Sequence, residues 1–143
     1  MTVRVLMADP DPMFLDSYSK RLEPMGFDVS TARNGLECLE NLRQVLPDIL
    51  VLEPSLSWGG GDGVLAVMRE EPGLRDIPVL VLTFGHDRSA LYRLAPYHVD
   101  DYQTKPKSPR QLAERISQIL APWPEAVLAG QGDLAAMFRK GGT

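Results

Sequence analysis

The 143-residue chain has one cysteine, Cys38, and two histidines, His86 and His98. A single cysteine excludes an internal disulfide and fits a reducing cytoplasm. Neither histidine has cysteine or acid partners at metal-ligand spacing, which argues against a zinc-type centre. No serine, histidine and acid trio is arranged for nucleophilic catalysis, so an enzyme of that type is not expected. Basic residues are outnumbered, 15 against 19 acids, and form no block. The net charge of -4 argues against binding nucleic acid through its phosphates. Apolar runs are only strand-length, far short of the roughly 20 residues of a membrane span. The chain enters a strand directly after Met1-Thr2, which predicts no signal peptide. There is no internal repeat.

What remains is an ordinary composition, 44% hydrophobic and 24% charged, with length for one cored domain. Twelve prolines and twelve glycines punctuate it. Val3 to Ala8 reads as a strand running into Asp9. Asp11-Pro12 starts a helix, with the acid as cap and proline at the first helical position. Phe14, Leu15, Tyr18 and Leu22 follow at helical spacing, and Gly26 ends the helix. Phe27 to Ala32 alternates as a second strand. Asn34-Gly35 reads as a turn, and Leu36, Leu39, Leu42, Val45 and Leu46 form the stripe of a second helix, with Cys38 on its apolar side. Asp48 to Glu53 is a third strand ending in an acid. Pro54 to Asp62 reads as a loop. A third helix follows through Val64, Leu65, Val67 and Met68, ending near Pro72-Gly73. Pro78 to Thr83 is a fourth strand ending in a hydroxyl. A fourth helix over Asp87 to Ala95 is closed by Pro96. Val99 to Gln103 is a fifth strand, leading to Lys105-Pro106. Ser108-Pro109 opens a fifth helix with Leu112, Ile116, Ile119 and Leu120 inward.

Strands alternating with helices predict a doubly wound parallel sheet. Sites in such sheets lie beyond the carboxyl ends of the strands. Asp9, Glu53, Thr83 and Lys105 all fall there. Acid, acid, hydroxyl and lysine-proline in this order resemble the receiver domain of two-component response regulators. The most specific stretch is Val99-Asp100-Asp101-Tyr102-Gln103-Thr104-Lys105-Pro106. The resemblance spans Thr2 to about Leu120. It implies a CheY-like, flavodoxin-like sheet of order 2-1-3-4-5 with five helices, over residues 1–121. It also implies a cis peptide before Pro106, a sensing hydroxyl at Thr83 and a mobile aromatic at Tyr102. The partners it implies are signalling proteins, a histidine kinase or a downstream effector. A face built from the fourth helix, fifth strand and fifth helix would meet them, or a second copy. Arg88, Tyr92, Arg93, Tyr97 and Tyr102 are the candidate surface residues.

The chain departs from the family at two points of chemistry. Family members carry two adjacent acids after the first strand that help hold magnesium. Here Pro10 stands between Asp9 and Asp11, and proline offers no side-chain ligand. Asp11 could serve only by leaving its cap, and magnesium demands near-octahedral oxygen geometry. Magnesium binding through Asp9, Asp11 and Glu53 is therefore expected to be weak or absent. Glu53 falls where the family has its phosphoacceptor aspartate. One added methylene moves the carboxylate by roughly 1.3 Å, and phosphoryl transfer depends on in-line placement. Glu53 has three readings: a fixed charge imitating phosphorylation, a structural partner of Lys105, or a true phosphoacceptor. As an imitation it carries about one charge, against nearly two for a phosphate.

Gly59-Gly60-Gly61 lacks the Lys-Ser/Thr of a P-loop and reads as a flexible loop near the site. Trp58 is either a partner anchor or a cover for the site. Residues 122–143, beginning Pro122-Trp123-Pro124, read as a tail of short helices or a linker. They are too few for a DNA-binding output domain. The expectation is an atypical receiver acting by protein–protein interaction. The rivals are a magnesium-dependent phosphoryl acceptor and a small-anion sensor using the same pocket.

Overall fold

The computed structural model describes residues 2–121. Five parallel strands, β1 (Val3–Ala8), β2 (Phe27–Ala32), β3 (Ile49–Leu52), β4 (Val79–Thr83) and β5 (Asp101–Thr104), form one sheet of order β2-β1-β3-β4-β5. The expected flavodoxin-like order is thus the observed one. β3 and β4 are buried throughout, because helices cover both faces and strands cover both edges. The edge strands β2 and β5 are only partly buried.

Alternate residues of each central strand point to opposite faces, and each face has its own core. Val5, Met7, Ile49, Val51, Leu80 and Leu82 pack against α1 (Pro12–Leu22) and α5 (Pro109–Leu120). Leu6, Ala8, Leu50, Leu52, Val79 and Val81 pack against α2 (Gly35–Val45) and α3 (Gly60–Glu70), with Leu94 following α4 (Arg88–Tyr92). Cys38 is fully buried in the second core, and burial pushes its thiol up to about 12.

The helix starts follow from their caps. Asp11 Oδ1 accepts from the Met13 and Phe14 amides at 3.0 and 3.3 Å. Ser108 and Gln111 form a reciprocal capping box on α5. Several expectations need correction. Asn34-Gly35 is not a free turn: Asn34 Oδ1 caps α2 by accepting from the Glu37 amide at 2.9 Å. Leu36 and Leu46 leave the inward stripe and are exposed, and Leu46 takes a left-handed cap at φ 50°. The three glycines are not a loop: Gly59 caps α3 and the helix begins at Gly60. Helix α4 has five residues and gives way to tight turns, with Leu94 N–H donating to Leu91 O at 3.0 Å. β5 starts at Asp101 rather than Val99.

No helix among the described residues is long and apolar enough to cross a membrane. The expected tail at 122–143 lies outside the described residues.

Candidate functional site

Because the strands are parallel, their carboxyl ends meet at one edge of the sheet. Three ends of strands and the loop after β5 bring Asp9, Glu53, Thr83 and Lys105 around a single cavity of about 280 Å³. Asp9 and Glu53 are 3% and 8% exposed. Backbone bonds fix both: Asp9 N–H donates to Ala32 O at 3.0 Å and Glu53 N–H donates to Ala8 O at 2.9 Å. Their carboxylates also accept amides two residues on. Asp11 N–H reaches Asp9 Oδ1 at 2.9 Å, and Ser55 N–H reaches Glu53 Oε2 at 3.1 Å.

Lys105 lies between the two acids. Its Nζ is 2.5 Å from Asp9 Oδ2 and 3.6 Å from Glu53 Oε1. The lysine thus pairs with both acids and lies closer to Asp9 than to Glu53. The peptide before Pro106 is cis, as the resemblance implied. Two phenyl rings flank the ammonium. Phe14 has its centroid 4.3 Å from Nζ, and Phe84 has its centroid 5.2 Å away. Phe14 in turn packs on Tyr18 at 4.3 Å, whose hydroxyl donates to Lys107 O. Helix α1 thus grips the segment that carries Lys105.

Thr83 is buried at the cavity wall, and its Oγ1 accepts from Gly85 N–H at 3.0 Å. Lys105 N–H donates to Thr83 O at 2.8 Å, which ties β5's exit to β4's end. Pro10 and Asp11 also line the cavity. Asp11 spends Oδ1 on the helix cap. Among the described residues, no group of three or more His, Cys, Asp or Glu side chains is arranged to hold a metal.

The candidate surface residues are less uniform. Arg88, Tyr92 and Arg93 are exposed, and Arg93 Nε lies 3.4 Å from Asp62 Oδ1. Tyr97 is instead half-buried against the core. Tyr102 is 50% exposed and lies outside the cavity lining; partial burial raises its phenol. Trp58 is also outside that lining and 76% exposed, so it does not cover the site.

Sequence reasoning missed two features. Phe84 was readable only as the aromatic that follows the strand-end threonine. The Asp101–Arg115 ion pair joins β5 to α5, and its partners are separated by a turn and half a helix. Burial pushes the Asp101 carboxyl up. Hydrogen bonds from Arg115 and Gln103, with the Arg115 charge, outweigh burial and hold it below the ordinary carboxylate range.

A 2-1-3-4-5 parallel sheet with acids, hydroxyl and lysine at its carboxyl edge defines a CheY-like α/β signalling domain. The family model described as the response regulator receiver domain matches residues 5–117, and the chain belongs to that family. It is 31% identical over 120 residues to "Alkaline phosphatase synthesis transcriptional regulatory protein PhoP" of Bacillus subtilis, covering 84% of this chain and 49% of that protein. It is 29% identical over 116 residues to "DNA-binding response regulator MtrA" of Mycolicibacterium smegmatis, covering 81% of this chain and 50% of that one. The chain spans about half the length of the curated relatives it matches. A putative response regulator from Chloroflexus aurantiacus superposes with TM-score 0.75 at 29% identity, covering 85% of this chain and all of that one, 100%.

Proposed function

We propose that this receiver domain signals by protein–protein interaction, without aspartyl-type phosphorylation. The observation that carries the reading is Glu53, which stands at the acid position after β3 with a side chain one methylene longer than aspartate and holds its carboxylate by accepting the Ser55 amide at 3.1 Å. The Lys105 ammonium lies 2.5 Å from Asp9 and 3.6 Å from Glu53, between the two phenyl rings. The donor set supports weak magnesium binding at most: Pro10 has no side-chain oxygen, and Asp11 Oδ1 caps α1.

Glu53 then has two jobs, a permanent charge in the pocket and a second partner for Lys105. Two carboxylates against one ammonium leave the pocket net negative. That disfavours a small-anion sensor. The partner in this reading is a kinase or an effector of a two-component-type pathway, met through α4, β5 and α5. Exposed Arg88, Tyr92, Arg93 and Tyr102 offer the side chains such contacts use. DNA binding is named for MtrA and transcriptional regulation for PhoP, and the match to this chain covers only about half of each. The net charge of -4 argues against this chain gripping nucleic acid through its phosphates.

The test is incubation with acetyl phosphate and magnesium at neutral pH, followed by intact-mass spectrometry. The expected result is no phosphoryl adduct. An adduct mapped to Glu53 would overturn the reading and make the domain a working phosphoryl acceptor.

A further inference from the structure

Trp58 stands where its own side chain is costly. Its φ is 60°, a left-handed conformation that is a genuine outlier for a bulky residue. Gly59 and Gly60 hold the next two steps of the turn at φ 93° and 70°, where glycine meets no such strain. A third glycine, or an asparagine, would suit the turn better. The fold buries little of the indole in return, since Trp58 is 76% exposed. Its backbone has a firm seat: Gly35 N–H donates to Ser57 O at 2.9 Å, and Gly35 leaves no room for a Cβ beside Trp58 O. An outlier held this firmly, with its side chain in solvent, marks a function beyond the fold.

The same face holds a groove of about 440 Å³ between α1 and α2, and two of its lining residues, Arg33 and Glu37, stand two positions either side of Gly35. Pro12 and Leu15 give the groove an apolar wall, and Asp16, Glu37 and Glu40 line it with carboxylates. Pockets of roughly 300–1,000 Å³ hold ligands larger than an indole. The chemistry fits as well. An indole ring suits the apolar wall and the Arg33 guanidinium, and its N–H, a donor only, suits carboxylate acceptors. Anchor and groove thus adjoin at Gly35. The next residue, Leu36, is 57% exposed and belongs to neither core.

We propose that the chain forms a two-fold dimer through this face, with each Trp58 entering the α1–α2 groove of the other copy. A two-fold interface sets one patch against itself, so an anchor beside a groove is matched twice by a single contact. The axis then passes by Gly35, where the two Leu36 side chains meet. A second copy is the occupant that brings both the indole and the groove. The groove lies at the β2 edge of the sheet and β5 at the opposite edge, so the dimer leaves the α4–β5–α5 face free for other partners. It does not depend on how Glu53 is used.

The experiment is sedimentation velocity on the full-length chain from low micromolar to near-millimolar concentration. Wild type should pass from monomer to dimer in that range, as befits a small, transient interface. Trp58→Asn places a residue that tolerates the left-handed turn, so circular dichroism should show the wild-type fold. Its dimer should be roughly thirtyfold weaker or weaker still, the scale of losing an interface anchor. Leu36→Cys, mildly oxidised, should give a disulfide-linked dimer. Leu46→Cys, exposed at the far end of α2, should stay uncrosslinked, and buried Cys38 takes no part in either. A wild type that is monomeric throughout would overturn the proposal. So would a dimer as strong in Trp58→Asn as in wild type, or a Leu36→Cys chain that does not crosslink. Oligomers that keep growing with concentration would also overturn it, because a contact that fails to close builds open chains. Should Trp58→Asn not fold, the Leu36→Cys crosslink decides alone.

Discussion

Removing the Lys105 side-chain charge leaves Asp9 and Glu53 buried and uncompensated, so one residue carries much of the site's electrostatics. Lys105→Met should cost about 3 kcal/mol in urea unfolding, the scale for losing one partner of a buried ion pair. Adding Asp9→Asn should recover part of that loss, because the two effects are coupled. A fully additive double variant would mean that the pair is not what stabilises the site. Asp101 makes a second residue-scale prediction. Its folded carboxyl lies below the unfolded value of about 3.9. The pairing with Arg115 is therefore fully stabilising above that value and is lost as pH falls through the lower, folded one. Arg115→Met should lose about 1 kcal/mol at neutral pH, since Arg115 is partly solvated. Unfolding curves should show that difference shrinking to nothing in strong acid. At this scale the strand-end pattern made Asp9, Glu53, Thr83 and Lys105 legible. Lys105's preference for Asp9 was not, because it depends on side-chain reach across β3. Phe84 carried no periodic signal at all.

At the scale of elements, caps were the most readable feature and glycines the least. Asp11, Pro12, Ser108 and Pro109 announce α1 and α5 because their chemistry is local. Gly59-Gly60-Gly61 misled because its reason is tertiary. A Cβ on Gly61 would lie 2.9 Å from Pro54 Cα, so close packing against the exit of β3 requires glycine inside the helix. Gly61→Ala should destabilise the fold by about 1–3 kcal/mol despite its better helix propensity. An unchanged or raised thermal midpoint would show that the α3 start yields easily. Gly35 obeys the same rule, with a Cβ falling 2.2 Å from Trp58 O. That contact holds the β3–α3 connection against α2, with the Trp58 side chain outward. Helix α4 was over-read because Pro96 marks the end of the segment rather than of the helix, and the turns before Pro96 satisfy their amides locally.

The whole molecule divides its central strands between two cores, and that division fixes which helices report on the site. Helices α1 and α5 share one core with β1, β3 and β4 and frame the Lys105 segment. Helix α3 and the α4 region share the other with Thr83's neighbours on β4. The alternating strand and helix pattern made this architecture legible, because each central strand had to be apolar on both faces. Strand order came from the family resemblance, since composition does not rank parallel neighbours. The central claim is that Glu53 and Pro10 stand where a phosphoryl group and its magnesium need two aspartates, so a phosphoryl mimic finds no seat. Backbone amide NMR spectra recorded with magnesium, before and after adding beryllofluoride, test it most directly. The account predicts unchanged resonances at Glu53, Thr83 and Tyr102. Shifts spreading from those residues into α4 would contradict it and establish a working phosphoryl switch.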